Sequence, residues 1–529
     1  MQPLDYNILN AEDFAHVKPM SARAYEGILS FYQSQQAPNP DHSSLPEKAV
    51  LDTFIQLYFE HFAPQIPFLH HSLFDGDVHW LLVLAVATVD LLRRALPSDA
   101  ITALKYDVLT VAQSVLLYNF SSMFCGLRDY MIDLQTQHAW LVTLIQPFMR
   151  TSGDSNFFSM PYPTPKEGSS WQDWLKLEQQ RRLVYCAWMF ECMFVALMNA
   201  QPKLQVDDFE QILPCSSSLW RAKTASEWEL LYSMHRSRPA LSLRTLFTKF
   251  CLSELEDLSQ LPELTKLLLL LAFWVEEQKA LKGSKMLSLL HGNRSMPGPS
   301  SDVGLDKRFD TLEPIKTPAL DDEQLFKTRK IFYHILFIIR HVPMRLMYKF
   351  FGMHALEPKV RRARESVSRW MQGHPVQARR CVFHAASALC EIRRERVLTC
   401  PQPFSLVPLK QYLRIYQKVH TNLTAQPSPS QTTQVLRLDH NSTDNDKNSE
   451  LISRWISGDE TIRLYLPGTG FFLAPRSQAC LMAEFRRLLS SRDLPGWPVL
   501  REALLSSLDE VVNDVTPRSQ PPYSVSVGS

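Results

Sequence analysis

The sequence predicts an all-α fold, a large helical array of about fifteen helices in two lobes with a disordered N-terminus and linkers. Three observations point there. Apolar residues recur at helical spacing through most of the apolar stretches. The 35 prolines, against 16 glycines, fall mainly between those stretches, as in helices joined by proline-punctuated loops. Over residues 1–149 nothing shows the alternation and turn chemistry of a β-hairpin. With 529 residues the chain exceeds the roughly 250–300 at which a single core stops growing.

Residues 1–45 are polar and proline-bearing and read as a disordered linker, with one short helix within AEDFAHVKPMSARAYEGILSFYQSQQ. The first firm helix lies within 46–69. Pro46 suits its first turn, Leu51, Phe54, Ile55, Tyr58 and Phe62 form one stripe, and Pro64 and Pro67 end it. Helices follow over 78–96 and 100–120, divided at Leu96-Pro97-Ser98-Asp99, where Ser98 or Asp99 caps the second. A fourth spans 125–149, with Leu127, Met131, Leu134, His138, Leu141 and Leu144 near one face.

The chain is organised around Trp171 to Trp228. A long helix carries Leu175, Leu183, Val184, Ala187, Trp188, Phe190 and Phe194, and Glu178 and Arg182 lie one turn apart, able to pair on one flank. Beyond Arg182 it is apolar nearly all round and must be buried, until Pro202 stops it. Leu213-Pro214-Cys215 reads as extended, Ser216 to Ser218 can cap the next turn, and Trp220 and Trp228 are large anchors. Helices are expected near 223–234, 239–256 and 260–282. The turn-rich 286–320 reads as a flexible insertion. A long helix from Asp322 to about Gly352 follows, then 357–371 and 375–397. The first lobe is 46–285 and the second 321–421 together with 451–514, joined through a flexible linker at 422–450. Helices near 476–491 and 496–514 close the fold, and 515–529 is a disordered tail.

Formal net charge is +2, so bulk charge does not make the chain a polyanion binder. Nine cysteines, several inside apolar helices (Cys186, Cys192, Cys381, Cys390), read as buried reduced thiols. The N-terminus lacks the basic start and apolar run of a signal peptide. The longest apolar runs fall short of the roughly 18 residues a membrane helix needs, so a soluble intracellular protein is expected.

One stretch is charged asymmetrically. Lys359 to Arg396 holds ten Arg and Lys against three Glu, a net +7. Its first residues, Lys359, Arg361, Arg362 and Arg364, are the candidate basic patch, open to three readings: a solvated helix face, a nuclear-import signal or a nucleic-acid contact. Val360, Val367 and Trp370 give this helix a buried side. Asp321-Asp322-Glu323 and Asn445-Asp446-x-x-Ser449 resemble the magnesium motifs of terpene cyclases, yet Leu325 and Ser453 stand where carboxylates belong, and helix capping accounts for Asp321 and Asp322. His70-His71 diverge on a helix and suit hydrogen bonding more than a shared metal. No glycine-rich phosphate loop or Gly-x-Ser-x-Gly elbow occurs. No catalytic, cofactor-binding or metal residue is nominated. The aromatic residues of 171–198 read as core, with a small-molecule effector pocket between helices as the alternative.

The order Trp171-x-x-Trp174, Glu178-x-x-Arg181-Arg182-Leu183, an aromatic-rich helix, Leu213-Pro214-Cys215, Leu219-Trp220-x-Ala222 and Glu227-Trp228 resembles the regulatory "middle homology" domain of fungal-specific transcription factors. The nearest branch is that in which this domain follows zinc fingers built from two cysteines and two histidines. FIQLYFEHFAPQIPFLHHSLF (Phe54 to Phe74) is similar to the domain's opening. The resemblance implies a nuclear regulator of RNA polymerase II transcription, in many cases of a biosynthetic gene cluster. The partners it implies are other transcription factors or co-regulators, a second copy of the chain, and a small-molecule effector, with no membrane. A zinc-binding head is not recognisable, since no cysteine precedes Cys125. Zinc is therefore expected only in a finger N-terminal to this chain, and DNA only through that head or one supplied by a partner. The alternatives are a head-less co-regulator that binds a complete zinc-finger factor and, more remotely, a magnesium-dependent prenyl-diphosphate enzyme.

Overall fold

A computed structural model describes residues 17–34, 45–74, 78–87, 92, 96, 107–124, 128–149, 170–235, 241–255, 257–290, 303–314, 322–352, 355–395, 402–420, 434–437, 446–474, 476–490, 501–502 and 504–505. Among them stand eighteen α-helices and one three-stranded sheet, so the architecture is all-α apart from that sheet. Among the described residues no helix is long and apolar enough to cross a membrane.

The short helix expected within the N-terminal linker is present, and it is packed on the fold. Helix α1 (Ala22–Ser34) buries Ala24, Ile28 and Phe31, and Phe31 stacks on Trp80 of α3 (Trp80–Ala87) at 5.4 Å between centroids. From α2 (Lys48–Leu57), the Gln56 side chain accepts from Val17 N at 3.2 Å and donates to Val17 O at 2.8 Å, while Asp52 accepts from Met20 N at 2.7 Å. These side chains satisfy a backbone that has no helix of its own. Helix α2 passes into a π-helical turn over Tyr58–Phe62, ahead of Pro64.

Of the two helices expected next, α3 and α4 (Val108–Phe124) are described, and most of 88–106 lies outside the described residues. The cap expected at Ser98 or Asp99 lies outside the described residues. Helix α5 (Arg128–Met149) lies against α4, and both pack on α6 (Trp171–Met198). Ser170 opens α6 through a capping box, its Oγ accepting from Asp173 N at 3.3 Å while Asp173 Oδ2 accepts from Ser170 N at 3.4 Å. Asn199, in the left-handed region at φ 54°, closes it ahead of Pro202. Short α7 (Ser217–Trp220), α8 (Ala225–His235) and α9 (Leu243–Cys251) lead to α10 (Glu263–Leu290), where Leu264 and Leu267 to Trp274 are all buried.

Three expectations for the second half are corrected. Within 286–320, α10 continues to Leu290 and α11 (Val303–Asp310) is folded, because Phe309 is fully buried and stacks on Tyr333 at 5.0 Å. The single helix expected from Asp322 to Gly352 is two, α12 (Glu323–His341) and α13 (Met344–Phe350). Pro343 divides them, since proline has no backbone donor and disfavours helical backbone in Val342, which is extended. After α14 (Glu357–Gly373) and α15 (Pro375–Arg394) comes α16 (Gln402–His420), which tolerates Pro408 because Leu406, Leu409, Tyr412 and Leu413 are buried and Tyr412 OH donates to Ala378 O at 2.9 Å.

Thirdly, the linker expected at 422–450 contributes strand β1 (Gln434–Arg437) and the start of α17 (Asp446–Ser457). Strand β1 pairs in parallel with β2 (Ile462–Leu466), which pairs antiparallel with β3 (Gly470–Phe471). Helix α17 is the crossover that parallel strands require. Leu436 is fully buried, which fixes which face of β1 points inward. Helix α18 (Ser477–Ser490) follows. The tail 515–529 lies outside the described residues.

One continuous apolar cluster runs from Val17 to Leu489, and a smaller one gathers around Trp174 and Trp228. The placement of α1 is directly testable. A Cβ on Gly27 would lie 2.7 Å from Trp80 Cδ1 and 3.0 Å from Trp80 Cβ, at the root of a side chain that cannot swing away. Gly27→Ala is expected to cost about 1–3 kcal/mol of overpacking, against about 1 kcal/mol returned by alanine's helix propensity. Its melting temperature should therefore fall, with α1 cleaved sooner in limited proteolysis; an unchanged or higher melting temperature would show that α1 does not lie on α3.

Candidate functional site

The site is built around a guanidinium that has no water. Arg182 of α6 is fully buried. Its Nε donates to Glu178 Oε1 at 2.9 Å, Nη2 to Cys215 O at 2.7 Å and Nη1 to Pro67 O at 3.3 Å, and its plane lies 4.5 Å from the centroid of Trp220. Glu178, equally buried, accepts also from Cys215 N at 2.9 Å and from Arg181 Nη1. The pair expected on one flank of the helix thus lies in the interior. Extended Leu213-Pro214-Cys215 makes this geometry available, because its backbone groups are not used up in a helix.

Burial alone would raise the Glu178 carboxyl, but the Arg181 and Arg182 charges and the Cys215 N–H outweigh it and hold it below its ordinary value. Burial likewise works against the Arg182 cation, and Cys215 and Glu178 hold it charged. Beside them His70 N donates to Gln179 Oε1 at 3.1 Å and the His70 ring packs edge-on to Trp220 at 4.7 Å. Burial, then the neighbouring His71, pulls the His70 imidazole down to about 3, so it is neutral. Ser72 N donates to its Nδ1 at 3.1 Å, which leaves the ring proton on Nε2. His70 and His71 lie in a turn, not on a helix as expected, with rings 4.2 Å apart. Around this frame Trp174 lies 5.3 Å from Trp228, and the buried indole N–H groups of Trp171, Trp174 and Trp228 have no acceptor.

A second buried polar cluster joins α10, α11, α12 and α15, and sequence reasoning misses it entirely. Arg340 grips Glu277 in two-pronged fashion at 2.5 and 2.6 Å and lies 3.2 Å from Asp306. Arg380 reaches Asp310 at 2.6 Å, and His334 Nδ1 lies 2.9 Å from His384 Nδ1. Burial pushes Asp306 up against the opposing pull of Arg340 and Arg380. No motif marks these residues, which come from four separate stretches of the sequence.

The basic patch divides in space. Lys359, Arg361 and Arg362 are exposed on α14, whereas Arg364 is half-buried with Nε donating to Phe350 O at 3.1 Å. Val360, Ala363, Val367, Trp370 and Met371 form the buried side. On α15, Arg380 is paired as above, Arg393 meets Glu484 at 3.1 Å and Arg394 meets Glu391 at 2.9 Å. Arg345 and Lys349 of α13 join the α14 cations: partial desolvation and then the charges of Arg345 and Lys359 lower the Lys349 ammonium.

Asp321 and Asn445 lie outside the described residues. Asp322 occupies the N-cap of α12 but makes no capping hydrogen bond, since its backbone (φ −109°, ψ 8°) is not the extended form that aims a side chain at the first turn. Among the described residues no three His, Cys, Asp or Glu are placed to hold a metal ion. Cys186, Cys192, Cys215, Cys381 and Cys390 are buried, and burial pushes the Cys186 thiol up to about 12.

Removing one member of the α6 pair leaves the other buried without its main partner. Arg182→Met is expected to cost about 3–5 kcal/mol. Because the folded Glu178 value is lowered, its contribution is fully present above the unfolded carboxyl value of about 4.3 and is lost as pH falls through the folded one. Denaturant midpoints at neutral and acid pH should show that Glu178→Gln removes this acid-dependent part; an identical pH profile would show that the pair does not stabilise the fold.

Residues 103–291 match the fungal specific transcription factor domain. The chain is 24% identical over 515 residues to a protein of Gibberella fujikuroi named transcription factor, covering 92% of this chain and 63% of that relative. It is 26% identical over 249 residues to the nicotinate catabolism cluster-specific transcription factor of Emericella nidulans, 41% of this chain and 28% of the relative. To the transcription factor opdJ of Penicillium oxalicum it is 28% identical over 181 residues, 33% of this chain and 20% of the relative. The chain therefore spans less than two thirds of the length of these relatives. No solved structure matches. The matched segment carries Glu178, Arg182, Cys215, Trp220 and Trp228, so the site lies within the stretch that matches this domain.

Proposed function

We propose that this chain is the regulatory part of a transcription regulator that acts in the nucleus on RNA polymerase II genes and is not itself an enzyme. The observation that carries the reading is the domain match over 103–291, together with relatives named as transcription factors of which one aligns with 92% of the chain. One relative is named for a catabolic gene cluster, which supports a pathway-specific set of targets. The non-enzymatic reading is supported by how the reactive side chains are used. Glu178 and Arg182 are consumed by each other and by backbone groups, His70 is neutral, and the Cys186 thiol is too basic to ionise near neutrality.

In this reading DNA is reached through a zinc-bearing head, either N-terminal to these residues or on a partner factor, and the helical array exchanges contacts with co-regulators. The test is a fusion of the chain to an unrelated DNA-binding domain at a reporter gene, with its position in the cell followed by fluorescence. The fusion should accumulate in the nucleus and change reporter output in either direction, and Arg182→Met should remove that change. A fusion that behaves like the DNA-binding domain alone would sink the regulatory reading. Co-purification of an intact zinc-finger factor with the chain would favour the partner-supplied head.

A further inference from the structure

The outward face of α13 and α14 collects cations that the sequence separates. From Met344 to Gly373, seven Arg and Lys stand against two Glu, a net +5 in a chain whose total is +2. Everything else therefore sums to −3. Arg364 is drawn inward to Phe350 O, but Arg345, Lys359, Arg361, Arg362 and Arg369 are exposed and Lys349 is half-exposed beside them. The ion pair on this face, Arg361 to Glu365 at 3.9 Å, joins two exposed side chains and does little to quench the charge.

We infer that the α13–α14 face docks the phosphate backbone of a nucleic-acid duplex, recognised by charge and not by sequence. Two observations select this occupant over an acidic protein. Protein interfaces place apolar and aromatic side chains at their centre and are depleted of charge there, whereas nucleic-acid interfaces are polar and strongly positive. Among the described residues of this face, the large apolar side chain left exposed is Leu356, at its edge just before α14. The cations are also spread along a rod. Lys359 to Arg369 covers about 15 Å of helix axis, the length over which a duplex strand presents several phosphates at about 3.4 Å of axis each.

The cations are presented by a folded helix. A receptor reading Lys359 to Arg364 as an extended peptide would have to unwind α14 and expose Val360 and Ala363, which are 2% and 4% exposed. A duplex backbone needs no such change. This surface goes beyond the regulatory reading and stands without it: it would add sequence-independent affinity from within the regulatory part, whatever head reads the bases.

The experiment is fluorescence anisotropy of the whole chain with a random-sequence duplex of about 20 base pairs over a salt series starting near 50 mM. The wild type should bind, with affinity falling steeply as salt rises. Lys359→Glu/Arg361→Glu/Arg362→Glu should weaken binding at least about tenfold and flatten the log–log salt slope by about 2–3, one phosphate contact being worth about 0.9. The same change of charge elsewhere, Lys176→Glu/Lys223→Glu/Arg244→Glu, should leave the slope near wild type. All six side chains are exposed, so circular dichroism should show both variants folded. Absence of wild-type binding at the lowest salt, equal losses in the two variants, or tighter binding of polyaspartate than of duplex would each overturn the inference, the last in favour of an acidic protein.

Discussion

A fully buried guanidinium is tolerated only where oxygens replace all the water it has lost. Arg182 meets that condition with three acceptors from three parts of the chain: Glu178 one turn earlier, Cys215 O from the extended segment before α7, and Pro67 O from the stretch after the π-helical segment. Each acceptor constrains the path of its own segment. Pro67 and Pro214 hold the backbone out of helices, which is what leaves those carbonyls available. The placement of 67–71 and 213–220 against α6 follows from this one requirement. Trp220 covers the remaining face of the cation, and Trp174 and Trp228 form the small apolar cluster that keeps water away. Specificity of packing, more than stability, is the benefit to be expected of such a pair, because a well-packed apolar substitute for both partners would be equally or more stable.

The second buried cluster does the same for the other half. Helix α11 has eight residues, too few to be stable alone, since nucleation costs more than one turn returns. It is held because Phe309 enters the core against Tyr333 while Asp306 and Asp310 meet Arg340 and Arg380. Arg340 also binds Glu277 of α10, so the helices on either side of the stretch expected to divide two lobes are bonded directly. Arg329 of α12 and Glu263 of α10 repeat the contact at 2.9 Å near the other end of the pair. An apolar cluster continuous from Val17 to Leu489 follows from this cross-bonding.

Legibility in the sequence tracks how local the cause is. Helices α6 and α10 were readable because their own residues are apolar on nearly every side. The Glu178–Arg182 spacing was readable as a pair, but not its burial, since the acceptors lie more than thirty residues away in Cys215 and more than a hundred in Pro67. Helix α11 was hidden by turn-rich flanks, α16 by Pro408, and strand β1 by a polar surrounding in which Leu436 alone turns inward. In each the deciding contact is tertiary. The break at Pro343 was local and could have been read from the proline alone.

The basic region shows how charge counted along a chain differs from charge presented in space. Of the cations between Lys359 and Arg396, three on α15 meet carboxylates: the half-buried Arg380 at Asp310 and Asp306 and Arg393 at Glu484, and the exposed Arg394 at Glu391. Arg361, Arg362 and Arg369 of α14 are on the side opposite Val360, Val367 and Trp370, as the helical period dictates, while Arg364 is drawn inward to Phe350 O. Arg345 and Lys349, outside the counted region, then enter the same surface because α13 packs against α14. The result is a face more compact than the sequence suggests and drawn from different residues. In physiological salt its field decays over about 8 Å, so it acts on what touches it and not on distant partners. A nearly neutral chain with one such face is suited to holding a polyanion that another element has already brought close.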